Sequence, residues 1–241
     1  MITRVMLTSR RLSGPLIEIR VGSGDHIQSF CVPEGLITSR SPFFANALDG
    51  TKWREGEERL IHLPDDYPNV FSSYLQLLYQ GNLPIRKSIN PSTKDKVAIS
   101  KEVSKLMGEE MTLLADLYVF VEKIQDISSK CLVLTAFVES STHKRADGLY
   151  YSPNSRTVKT LFDGTTNTDP IRKWLVDLHV LYSKESWIEG STIDDFSVDF
   201  LFQVTKEFTS SRNQAVKGTR PVKDPAPYIA KMRGLEKKGK E

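Results

Sequence analysis

Cysteine is nearly missing from this chain: Cys31 and Cys131 are the only two in 241 residues. So few thiols exclude a disulfide framework. Cys31 on a predicted strand and Cys131 on a predicted helix face read as two buried thiols in a reducing compartment, cytoplasmic or nuclear. Histidine is equally thin. His26, His62, His143 and His179 are scattered, with no pair at a ligand spacing from cysteine or carboxylate, so neither a metal site nor a cofactor is expected. No apolar run approaches the roughly 18 residues of a spanning helix, and none precedes residue 16, which argues against membrane insertion and secretion.

Catalytic patterns are lacking too. No serine stands in a nucleophile elbow and neither cysteine has a motif around it, so an enzyme is not expected. Gly22-Ser23-Gly24 lacks the further glycine, the lysine and the following helix of a phosphate cradle, and reads as a hairpin turn. His62 is expected on the outer face of a strand and His179 on the solvent edge of a helix. The acid pairs Asp65-Asp66 and Asp194-Asp195 read as helix caps.

What is present is an ordinary globular composition, 39% apolar and 26% charged. The formal charge of +3 hides an asymmetry: residues 212–241 hold nine Lys or Arg against three Asp or Glu, a tail of +6 on a body of −3.

Ile17, Ile19 and Val21 alternate with Glu18 and Arg20, and Gly22 to Asp25 turns the chain into a second strand from His26 to Val32. Ser41-Pro42 supplies a side-chain oxygen at a helix N-cap and a pre-set φ at the first helical position. Phe43, Phe44, Ala47 and Leu48 follow on one side, and Gly50 can end that helix. Arg59 to Leu63 alternates as a half-buried strand that Pro64 stops. Asp65, Asp66 and Pro68 then open a helix carrying Val70, Phe71, Tyr74, Leu75 and Leu78 until Gly81.

This order of hairpin, helices, strand and helix, with Ser39-Arg40-Ser41-Pro42-Phe43-Phe44 and Leu77-Leu78-Tyr79-Gln80-Gly81, resembles the BTB/POZ family. The likeness is to the small stand-alone members abundant in fungi, and it covers about residues 16–141. The chain departs from the family at Pro33-Glu34, where many members carry His-Lys before the second helix block. The resemblance implies an α/β (α+β) fold, a small sheet covered by helices with additional C-terminal helices.

The chain then divides into an N-terminal segment 1–15, a BTB/POZ-like domain 16–141 with an insertion at 82–110, a helical extension 142–211 and a basic flexible tail 212–241. The insertion is polar, with a short helical piece near Val103 to Met107. Helical pattern resumes at Thr112 with Leu113, Leu117, Phe120 and Ile124, breaks at Gln125-Asp126, and continues with Ile127, Cys131, Leu134 and Val138. In the extension, Val158, Leu161 and Phe162 precede Gly164. Asp169-Pro170 opens a helix with Ile171, Trp174, Leu175, Leu178 and Leu181, and Phe196, Phe200, Val204 and Phe208 mark another. These helices are expected to pack on the hairpin of the first half.

As to function, the resemblance implies a non-catalytic protein-protein interaction module. Family members that recruit a cullin-type ubiquitin-ligase scaffold carry a hydrophobic-x-Glu motif in the connector where this chain has Trp53-Arg54-Glu55, so an adaptor is one expectation. Trp53 would be an aromatic anchor with Glu55 fixing register, or else a lid folded on the local core. Phe43 and Phe44 on the first helix complete the candidate protein-binding set. Dimeric relatives exchange an N-terminal strand, for which Ile2 to Leu7 is apolar enough. The alternative is a dimeric regulator whose basic tail, with Tyr228 as its stacking residue, touches nucleic acid; with no zinc-finger or helix-turn-helix pattern, nucleic acid is the weaker expectation.

Overall fold

The computed structural model describes residues 14–49, 54–83, 95–187, 189, 191–211 and 224–238. It is a mixed α+β structure, in which a small sheet accompanies ten helices among the described residues.

Three strands make the sheet: β1 (Leu16–Val21), β2 (Gln28–Pro33) and β3 (Leu60–Leu63), in the order β2-β1-β3. β1 runs antiparallel to β2 and parallel to β3. Alternation sends Ile17, Ile19, Val21, Val32, Ile61 and Leu63 inward. The register pairs Cys31 with Glu18, so Val32 takes the inward place and Cys31 is exposed. The expectation of two buried thiols therefore holds for Cys131 only. Gly22 turns the hairpin at φ +95°, where a Cβ would also lie 2.7 Å from the His26 carbonyl oxygen.

The helices that follow are α1 (Glu34–Thr38), α2 (Pro42–Ala47), α3 (Arg54–Glu58) and α4 (Pro68–Gln80). Ser41 caps α2 as its sequence foretells, its Oγ accepting from the Phe44 N–H at 3.2 Å. Gly50, expected to end α2, lies outside the described residues. α4 buries Val70, Phe71, Tyr74, Leu77 and Leu78, and Gly81 closes it at φ +69° with its N–H on the Leu77 carbonyl. Its N-cap is Tyr67, with no side-chain bond, so Asp65-Asp66 is not the cap expected; Asp66 accepts from Lys123 Nζ at 2.6 Å instead.

The largest departure from the sequence pattern is α5 (Lys96–Lys123), a single helix of 28 residues across what reads as the second half of an insertion. Val103, Met107, Met111, Leu114 and Tyr118 form its buried stripe, spaced by threes and fours among polar residues. The stripe starts two turns earlier than Thr112. Gln125 at φ +62° breaks the helix, and α6 (Ile127–Thr142) returns. Then come α7 (Ser155–Asp163), α8 (Pro170–Tyr182), α9 (Val198–Ser211) and α10 (Ala226–Lys238). α10 lies in the stretch expected to be a flexible tail, yet it buries Tyr228 and Met232. Tyr228, Met232 and Leu235 stand at helical spacing, but they are set among five charged residues in a stretch rich in Pro, Gly and Lys, which hides the helix.

The chain divides into two compact units, Met1–Pro84 with Phe120–Leu132 and Ile85–Val119 with Val133–Glu241. In the first, Phe71 anchors an aromatic cluster, 4.9 Å from Phe30 and 5.9 Å from Phe120. In the second, the fully buried Trp174 lies 6.0 Å from Phe137, and Phe162 meets Phe200 edge-on at 5.2 Å. Asp169 caps α8 by accepting from the Ile171 N–H, as expected, and also accepts from the Tyr118 hydroxyl at 2.7 Å. Asp195 instead closes a short turn with Thr192, ahead of α9.

Candidate functional site

The Arg40-Ser41-Pro42-Phe43-Phe44 motif is built into the first unit. Ser41 Oγ, besides capping α2, donates to the Ile124 carbonyl at 2.6 Å. Arg40 reaches Asp126 at 3.3 Å and Ser129 Oγ at 3.0 Å. Asp126 is fully buried; its carboxylate also accepts from the Tyr74 hydroxyl, the Ser129 N–H and the Ser129 hydroxyl. Burial, followed by the nearby Asp126 charge, pushes the Tyr74 phenol well above its usual range. Every lone pair of that carboxylate is directed to a donor, which is the condition for burying a charge. The node is structural, and the sequence hid its centre: Asp126 reads only as a helix break, although an Asp just ahead of an apolar helical run is an N-cap signal.

The candidate protein-binding residues separate by exposure. Phe44 is completely buried, which removes it from any binding face as a core residue. Phe43 is half-buried, its ring 5.2 Å from Phe44 and edge-on to it. Trp53 lies outside the described residues, as does the Ile2 to Leu7 segment. Glu55 is exposed on α3, and so is Glu57. The connector is fastened just beyond them: Arg59, at φ +52°, pairs with Glu34 and gives its carbonyl to the Glu18 N–H. Tyr67 and Tyr79, exposed at opposite ends of α4, were not among the candidate protein-binding residues.

On the outward sheet face Glu18 accepts from Arg20 at 2.8 Å and Ser29 at 3.0 Å, and His62 is exposed as expected. His179 is not on a solvent edge. It is buried, Nδ1 donating to the Leu175 carbonyl at 2.8 Å, with Trp187 and Phe200 edge-on to the ring. Desolvation lowers its pKa, partly offset by that hydrogen bond. Arg172 is buried in the second unit, bonded to the carbonyls of Phe162 and Thr165, to Asn167 and to Asp199. Tyr228, the stacking residue of the nucleic-acid expectation, is buried with its hydroxyl on Asp177 at 2.9 Å. Among the described residues, no group of three His, Cys, Asp or Glu could hold a metal ion, and no helix is long and apolar enough to cross a membrane.

No family model matches the sequence, and no curated protein matches it either.

Proposed function

We propose that this chain is a non-catalytic protein-interaction module of BTB/POZ type, working as an adaptor that brings a partner to a cullin-type ubiquitin-ligase scaffold. The observation that carries the reading is the unequal fate of the motif residues. Arg40, Ser41 and Phe44 are consumed in holding the first unit together, whereas Glu55 stands exposed on the connector between α2 and β3. An exposed carboxylate two residues after Trp53 in the sequence is a composition suited to an interface: the aromatic supplies area and the charge supplies register.

Calorimetric titration of the full chain with the N-terminal region of a cullin scaffold tests this. Binding at micromolar Kd or tighter, lost in a Trp53→Ala, Glu55→Ala variant with unchanged circular dichroism, supports the adaptor reading. No binding by the unaltered chain removes it.

A further inference from the structure

In the second unit, the N-terminal half of α5 carries a trough of 740 Å³ lined by Val97, Ser100, Lys101, Ser104, Lys105 and Gly108. Its charged lining residues, with Lys96 among them, are all lysines. Of the acids nearby, Asp95 is turned onto the Val97 N–H at 2.9 Å, and Glu102 and Glu109 sit further round the helix, Glu109 meeting Lys105 only at 4.0 Å on the exposed rim. Ser104 and Gly108 keep the floor low, and Val97 is 78% exposed.

A loop tied to Ser100 of the trough is pre-organised. The loop after α6 turns on Gly148 at φ +80°, with the Gly148 N–H on the Arg145 carbonyl and the Arg145 N–H on the Leu149 carbonyl. Asp147 fastens it to Ser100 at 3.2 Å and accepts from Tyr151 at 2.7 Å. That loop holds out Leu149 and Tyr150, 52% and 56% exposed, with Lys144 5.8 Å over the Tyr150 ring. A rigid loop displaying an aliphatic and an aromatic side chain loses little entropy on binding.

From this juxtaposition we infer that the α5 trough and the 144–151 loop form a docking surface for an acidic amphipathic helix of a partner protein. The lysines select acid, while Val97, Leu149 and Tyr150 take the apolar face. Val97 to Gly108 spans about 16 Å, three turns of a partner helix. The small floor lets its backbone come close. This surface shares no residue with the Trp53-Glu55 connector, so either can fail without the other.

The test is fluorescence anisotropy of the full chain with a labelled helical peptide of about 15 residues, Leu on one face and Glu on the other, against the same peptide with Lys for Glu. The acidic peptide is expected to bind and the basic one not. A Lys101→Glu, Lys105→Glu variant should weaken binding about tenfold or more. Gly108→Leu should do the same by filling the trough; a Cβ there meets nothing within 4 Å, so the helix is kept. Lys231→Glu, Arg233→Glu on α10 should leave affinity within about twofold. The inference is overturned by equal binding of both peptides, by no binding at about 1 mM, or by loss that follows the α10 charges instead of Lys101 and Lys105.

Discussion

Arg40 and Asp126 form an ion pair across 86 positions of the chain, and the acid is fully buried while the guanidinium is mostly covered. Asp126→Ala would leave Arg40, the Tyr74 hydroxyl and the Ser129 N–H without their acceptor. Breaking such a pair costs about 3–5 kcal/mol, and urea denaturation should show a loss of that size. A Tyr74→Phe, Asp126→Ala cycle should be strongly non-additive, since both changes act on one carboxylate.

Phe43 and Phe44 should part company under truncation. Phe44→Ala, in a completely buried site, is expected to cost about 3–5 kcal/mol. Phe43→Ala, half-buried, should cost about 1 kcal/mol and leave a folded protein. Thermal melts of the two variants distinguish a core residue from one with exposed surface to offer a partner.

Two glycines should respond in opposite directions to alanine. At Gly164 a Cβ would lie 2.4 Å and 2.6 Å from the two Val119 methyls, so Gly164→Ala should lose about 1–3 kcal/mol. Val119→Ala should restore part of it. At Gly108, inside α5 with nothing within 4 Å, alanine should gain about 0.5–1 kcal/mol. Chemical denaturation of the three variants reads both signs.

His179 gives the second unit an acid-sensitive contribution. Its folded pKa lies below the ordinary 6.5 because burial disfavours the imidazolium. Below 6.5 the unfolded chain therefore binds the proton first, and stability falls as pH drops from 6.5 through the lowered folded value. Above 6.5 the contribution is fully present. Melting temperatures between pH 7.5 and 5 should fall more steeply in the parent than in His179→Gln.

α10 should be held by two side chains. Tyr228→Ala with Met232→Ala removes its buried contacts and the Asp177 bond, so trypsin should cut at Lys231 and Arg233 faster than in the parent. Equal cleavage rates would contradict this anchoring.

Much of the first unit was legible because its signals are local. Ser41-Pro42, the alternation of β1 and the Gly81 stop each act within a few residues, and each stands where the sequence put it. The same locality explains the failures. Cys31 faces out because of a register fixed by Val32, a matter of one residue. Asp126 and His179 take their roles from residues far along the chain or around the helix. α5 was obscured by lysines and glutamates that outnumber its buried stripe. Of the candidate protein-binding residues, exposure retains Glu55 and part of Phe43, and takes Phe44 into the core.

The first unit is assembled from two separated stretches of chain, and Arg40 in the first pairs with the buried acid in the second. During synthesis, a ribosome that has released residues up to 84 has therefore produced a sheet and helices whose Arg40, Ser41 and Tyr74 still lack their partners. Completion waits for Ile124, Asp126 and Ser129 to emerge some forty residues later, an interval of about 2–8 s at ordinary elongation rates. In that interval the nascent segment is the most exposed to chaperones and to misassociation.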